Sequence, residues 1–261
     1  MDSKIETLDG DKEKKLSFDQ VIRRIAIRLA QDRPLMLIGL IAALVLYLGI
    51  NHPESFLRKE NIAAVLLDTA QGGILTTGMM ILLISGVFDL SIGSILAFSG
   101  IVAGTLVKDV GTAPLIALMA GIAVGAAVGM INGVIITKLQ INPLITTLAM
   151  AGILRGVTQL VASAGVANLP QNFRAFGQTV YLGLQSPFWV MAIVVLLAWF
   201  AMTQSNFFRQ FYYIGSNPQA ADLVGIKVHR MMIFGFILMG ALSGLAGTLL
   251  ASRLSNAVVL A

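Results

Sequence analysis

The chain has 261 residues, 57% of them hydrophobic and only 12% charged, with a mean hydropathy of +0.85. So few charges cannot cover a soluble domain of this size, and the composition predicts a polytopic membrane protein. The net charge of +5 gathers in residues 1–33 and in loops beside apolar runs, which points to orientation in a membrane rather than to nucleic acid. Cysteine is absent and the two histidines, His52 and His229, stand far apart, which excludes a disulfide framework and a thiolate metal site and leaves the serines without a histidine partner for nucleophilic catalysis.

Residues 1–16 mix Asp2, Lys4, Glu6, Asp9 and Asp11 with Lys12, Glu13, Lys14 and Lys15. Such a stretch predicts a disordered cytoplasmic tail rather than a cleavable signal peptide. Ser17 and Gln20 then form a capping-box pattern, and Phe18, Val21, Ile22, Ile25 and Leu29 recur at helical spacing opposite Arg23, Arg24 and Arg28. Residues 17–33 therefore read as an amphipathic helix on the membrane surface; a solvated helix packed on the protein is the alternative.

From residue 34 to residue 261 the chain reads as an all-α transmembrane domain. A hydrocarbon core of about 30 Å takes roughly 20 apolar residues in a helix. Segments 34–50, 62–86, 90–107, 113–137, 142–162, 188–203 and 231–251 qualify; several are short or broken by glycine, so the expected count is about six to eight. With the basic N-terminus cytoplasmic, alternation places Lys138 and the 204–230 loop inside, and the 51–61, 108–112 and 163–187 loops outside.

Three stretches interrupt the pattern. In "SGVFDLSIGS", Asp89 and Ser91 break an apolar region, and Gly86 and Gly93 permit a tight turn or a close backbone approach; Asp89 as a simple cap of the next helix is the plainer alternative. In "GIAVGAAVGMING", Gly121, Gly125, Gly129 and Gly133 fall on nearly one helical face, a small-residue surface for packing inside the chain, for a second subunit or for a pore. The third is Gly215-Ser216-Asn217-Pro218-Gln219-Ala220-Ala221-Asp222-Leu223-Val224-Gly225-Ile226. Here Asn217 suits an N-cap, Pro218 the first helical position and Gly225 a left-handed stop. The result is a helix of about two turns, too short to span anything, shaped either to enter a groove on a partner or simply to cap a loop.

Ionisable residues inside a span are expensive, and Asp68 and Arg155 stand out. With Gln71 and Gln159 they define a polar surface that would line a translocation path toward its outer mouth; a structural Asp68–Arg155 pair, or snorkelling of each to the interface, reads equally well. No phosphate-binding loop, no HExxH and no metal-spaced cluster occurs, so the chain reads as a non-enzyme, and any ATP it depends on is bound by another subunit. A secondary transporter or channel that uses Asp68 as an ion site is the competing class.

From about Asn61 to Ser255 the chain resembles the permease subunits of ribose-type sugar importers of the ATP-binding-cassette class. The resemblance rests on "GVFDLSIGS", on "GMINGVIITKLQINPLITTLAMAGILRGV" with its Asn142-Pro143 helix start, and on "YIGSNPQAADLVGIKV" followed by "GALSGLAG". Val87 stands where many members have a second glycine, and Val224 where a serine often precedes the glycine. The resemblance implies that Asn217 to Gly225 form a cytoplasmic coupling helix docking on a separate ATPase subunit, which binds the ATP and Mg²⁺; this chain itself holds no cofactor. It further implies a second permease subunit in the bilayer of a bacterial cytoplasmic membrane. An extracytoplasmic sugar-binding protein is the last expected partner, with the 163–187 loop and its Asn168, Gln171 and Arg174 as docking surface. Members continue for some tens of residues past the equivalent of Ala261, so the resemblance implies further spans beyond it.

Overall fold

A computed structural model of the protein describes residues 33–258. The expected tail over 1–16 and, apart from Arg33, the expected amphipathic helix over 17–33 lie outside the described residues. The chain divides into two units, one ending at Ile62 and the other beginning at Ala63.

In the first unit, α1 (Arg33–Asn51) keeps its apolar side chains exposed all round, the distribution of a helix whose partner is lipid. The short α2 (Pro53–Phe56) opens on a proline, whose missing N–H would find no partner in a first turn anyway. The Asn61 side chain donates to the Phe56 carbonyl at 2.9 Å. Helix α3 (Lys59–Ile84) starts here and runs into the second unit.

The second unit continues with α4 (Ile92–Lys108), α5 (Pro114–Lys138), α6 (Pro143–Val161), α7 (Gln171–Gln178), the strands β1 (Val180–Tyr181) and β2 (Leu184–Gln185), α8 (Ser186–Gln204), α9 (Asn206–Ser216), α10 (Pro218–Leu223) and α11 (Val228–Leu254). Helix α11 is its centre: α4, α5 and α7 pack on it, and Met231, Phe236, Met239, Ala246 and Leu249 are buried there. Among the described residues six helices, α1, α3, α5, α6, α8 and α11, are long and apolar enough to cross a membrane, and α4 is a shorter apolar helix of 17 residues. Each of the seven predicted segments is thus a helix, and the protein is a multi-pass helical membrane protein. Helix α6 starts where Asn142 Oδ1 accepts the Leu144 N–H at 2.8 Å, with Pro143 at the first helical position.

The 163–187 segment, read from sequence as an outward loop, instead holds α7 and a hairpin. Leu182 and Gly183 both have positive φ, 50° and 84°, which is the mirror-image turn that matches the twist of paired strands. Phe173 of α7 is fully buried among Ile101, Val107, Leu169 and Ala251, and Ser252 Oγ donates to the Phe173 carbonyl at 2.7 Å. Helix α7 is therefore seated on the end of α11; Asn168 and Gln171 remain exposed, while Arg174 is half-buried.

Asp68, in the first half of α3, meets Arg253 near the end of α11, whereas Ile84, the last residue of α3, meets Gly215 of α9. Helix α7 and the end of α11 thus lie at one end of this unit, and α9, α10 and the turn 85–91 at the other.

Candidate functional site

The segment around the predicted short helix contains two helices. Sequence reading anticipated α10; it did not anticipate α9. In α9, Phe211 and Ile214 are buried against Ile81, Met231 and Met232, while Tyr212 and Tyr213 face outward. Phe207 and Phe208 stack edge-on with Phe234 of α11 at centroid distances of 5.2 and 6.0 Å. The signal is present, since Phe207, Phe208, Phe211 and Ile214 keep helical spacing, but the run falls within the 204–230 stretch that the sequence pattern assigns to a loop.

Asn217 separates the two helices in an extended conformation, and its Oδ1 accepts the Ala220 N–H at 3.0 Å. Pro218 opens α10, and Gly225, at φ 87°, ends it in the left-handed region that a side chain would disfavour. Of α10 only Ala221 is buried; Gln219 and Asp222 are exposed, and Leu223 and Val224 project at 89% and 77% exposure. Ile226 returns the chain to the apolar cluster at the start of α11. The last turn of α9 approaches α3 so closely that a Cβ on Gly215 would fall on the Ile84 carbonyl oxygen.

The turn between α3 and α4 lies beside this contact. Gly86 supplies φ 85°, while Gly93 sits in α4 with open space where a Cβ would be, so only the first glycine is required by geometry. Asp89, Ser91 and Asn132 are fully buried together. Asp89 Oδ1 accepts the Ser91 N–H at 2.7 Å and the Ser91 hydroxyl at 2.5 Å. Asn132 Nδ2, from α5, donates to Asp89 Oδ2 at 3.3 Å and to Ser91 Oγ at 3.0 Å. Asp89 is thus more than a helix cap, because it ties the turn to α5. Burial pushes its carboxyl above the ordinary aspartate value, against the smaller opposing pull of the hydrogen bonds from Ser91 and Asn132. Asn132, the lone amide of the glycine-rich helix, was not singled out in sequence; a buried polar residue within an apolar span is the signal that would have found it.

The glycine stripe packs inside the chain. A Cβ on Gly121 would fall on Thr248 Oγ1, on Gly125 on the Gly240 carbonyl oxygen and on Gly129 on the Phe236 carbonyl oxygen; on Gly133 it would lie 2.9 Å from Ile233 Cα. Gly240 and Gly244 of α11 answer from the other side against the backbone of α5. The two helices meet backbone to backbone, leaving this face closed to a second subunit and to any pore.

The four polar residues expected on one path are not brought together within the chain. Arg253, not Arg155, meets Asp68, with an N–O distance of 2.7 Å and the carboxylate side largely exposed. Sequence fixes the depth of a residue in a span but not the direction it faces, and Arg253 lay outside the predicted span. Gln71 is half-buried, and its Nε2 has no hydrogen-bond partner among the described residues. Arg155 and Gln159, one turn apart on α6, share an exposed face. Among the described residues no three His, Cys, Asp or Glu side chains gather as a metal site.

Comparison with known proteins adds the family. Residues 61–259 match the model described as "Branched-chain amino acid transport system / permease component". The chain is 36% identical over 225 residues to the ribose import permease protein RbsC of Escherichia coli K12, covering 84% of this chain and 70% of that protein. It is 36% identical over 249 residues to RbsC of Bacillus subtilis 168, covering 94% and 73%, and 35% identical over 209 residues to the L-arabinose ABC transporter permease protein AraH of Azospirillum brasilense, covering 80% and 61%. No solved structure matches. With six helices among the described residues long and apolar enough to cross a membrane and the matched region spanning nearly all of the second unit, the chain belongs to the family of ABC-transporter permease components.

Proposed function

We propose that this permease passes a sugar or sugar-like solute inward across the bacterial cytoplasmic membrane, energised by a separate ATPase subunit that docks on α10. The observation that carries the reading is the form of α10: a capped six-residue helix, held between two membrane-anchored helices, that presents Leu223 and Val224 almost fully exposed. Two such apolar side chains on a polar turn call for a cover, and burying each in a partner's groove contributes about 1.5–3 kcal/mol. The family description names amino acids, but the individual relatives are ribose and arabinose permeases at 35–36% identity, so pentoses are the first solutes to test.

In this reading the N-terminus, α9 and α10 face the cytoplasm, and the α7 end faces outward, where Asn168 and Gln171 meet a solute-binding protein. A second permease subunit completes the assembly. The exposed face of α6 carrying Arg155 and Gln159 then lines the translocation path, where an amide and a guanidinium suit a neutral polyol. ATP and Mg²⁺ belong to the ATPase, and this chain performs no chemistry of its own.

Replacing Asn217 to Gly225 with a Gly/Ser segment of equal length tests the docking role. Because α10 buries only Ala221, the variant is expected to remain monodisperse in detergent while losing the ATPase that the native chain retains on co-purification. Equal retention by both chains would overturn the assignment.

A further inference from the structure

We infer that Gly215 is the contact through which movement of α10 reaches the membrane helices, by way of the turn 85–91. The inference rests on α10 being the ATPase-facing element and deepens that reading by naming the point of transmission.

Helix α10 has little grip of its own on the membrane domain, since Ala221 is its one buried residue. A load applied to Leu223 and Val224 must leave through its neighbours. On the C-terminal side the connection runs through Gly225, at φ 87°. On the N-terminal side stands α9, held rigidly by the buried Phe211 and Ile214. The last turn of α9 then meets the end of α3 with no side chain between them: the site where a Cβ would stand on Gly215 falls on the Ile84 carbonyl oxygen and lies 3.2 Å from Ser85 Cα. Packed backbones cannot yield by changing rotamer, so displacement of one is displacement of the other.

What Gly215 touches is itself stiff. Ser85 N–H donates to the Leu82 carbonyl at 3.0 Å, Ser85 Oγ to the same carbonyl at 2.8 Å, and Val87 N–H to it at 3.1 Å. Asp89 then binds Ser91 at the head of α4 and Asn132 of α5. Helix α9, the turn, the head of α4 and, through Asn132, α5 therefore form one body. Beside it lies a cleft of about 550 Å³, bordered by Ser85, Gly86 and Gly215 on one side and by Gln140, Asn142 and Pro143 at the head of α6 on the other. The body has room to move relative to α6, the helix that bears Arg155 and Gln159.

The test uses the full chain in nanodiscs and proteoliposomes with its co-purifying ATPase. Gly215→Ala and Gly215→Val leave the docking residues untouched but push the last turn of α9 off the end of α3. Because Gly215 lies at the exposed rim and not, like Gly125, in the buried seam of α5 and α11, the chain is expected to fold with a lowered melting temperature and its complex to assemble and hydrolyse ATP. Uptake per ATP hydrolysed, for whichever of ribose and L-arabinose the wild type imports, should fall about tenfold or more. Unchanged uptake per ATP in an assembled Gly215→Val complex overturns the inference. Failure of the α10 reading would look different, because the wild type itself would then not retain the ATPase.

A second measurement needs no change at Gly215. The chain has no cysteine, so paired spin labels can be placed cleanly at Tyr212→Cys of α9, Leu90→Cys of the turn and Leu144→Cys of α6, all exposed positions. On adding the Mg²⁺ complex of a non-hydrolysable ATP analogue, the 212–90 distance is expected to hold while the 90–144 distance changes. A 212–90 distance that changes as much as the 90–144 distance would show that α9 and the turn move separately and would overturn the inference.

Discussion

Gly125→Val is expected to abolish the folded permease. The first atom added at this position falls on the Gly240 carbonyl oxygen, and Gly244 Cα stands 3.0 Å from the same point. Neither neighbour is a side chain that can rotate away, so α5 and α11 must separate. Gly121 and Gly129, one turn to either side, hold the same close approach against Thr248 and Phe236, and prising the pair apart at Gly125 loosens the whole seam. Overpacking of a core costs about 1–3 kcal/mol even where side chains can adjust; a backbone collision at the central helix exceeds that range. Size-exclusion chromatography of detergent extracts should show the monodisperse peak lost. Gly72→Ala is the control: a Cβ there meets nothing within 4 Å, and its helix gains about 1 kcal/mol in propensity, so folded yield should match or exceed wild type.

The second large effect is expected at Asp89. Asp89→Leu leaves the Ser91 N–H and hydroxyl without their buried acceptor and Asn132 Nδ2 with Ser91 Oγ alone. Each orphaned group costs about 1–3 kcal/mol, so the variant should melt well below wild type or fail to fold. Asp89→Asn should behave in the opposite way. Its Oδ1 still accepts the Ser91 N–H, and its Nδ2, standing where Oδ2 accepted from Asn132, donates to Asn132 Oδ1 once the Asn132 amide turns over. The pH dependence follows from the raised carboxyl. A carboxyl raised in the folded state favours folding most when protonated, so wild-type stability falls as pH rises from the ordinary aspartate value of 3.8 through the raised one. The slope is up to about 1.4 kcal/mol per pH unit in that window. Thermal unfolding in detergent should therefore show Asp89→Asn and wild type converging at the acid end of the window and the variant ahead at its upper end.

The fold was legible in sequence where it depends on local physics. Hydrophobic run length located the six helices, among the described residues, that are long enough to cross a membrane and the shorter apolar α4. Asn142-Pro143 and Asn217-Pro218 announced the starts of α6 and α10, because an amide that caps and a ring that presets φ act within one turn of chain. The four-residue glycine period located a packing face, although sequence alone left packing, a second subunit and a pore all open.

What stayed hidden depends on direction or on long range. The pairing of Asp68 with Arg253 joins residues 185 positions apart, and a span in lipid gives no periodic sign of which side will meet a charge. Helix α7 carries only Phe173 and Gly177 as buried residues, too few for a pattern, so its seat on α11 was invisible. The buried triad at Asp89 was half visible: Asp89 and Ser91 interrupt an apolar run, but Asn132 lies 43 residues from Asp89 and joins it only through the packing of α5.

Solute uptake in proteoliposomes distinguishes import energised by a separate ATPase from every ion-driven alternative. The chain is reconstituted with and without its ATPase and binding protein, and radiolabelled ribose and L-arabinose are offered with ATP on the α10 side. Uptake that requires both the ATPase and hydrolysable ATP, and that ignores imposed proton or sodium gradients, is the expected result. Uptake by the chain alone that follows an ion gradient and is lost in Asp68→Asn would contradict the account and make Asp68 the ion site of a secondary transporter.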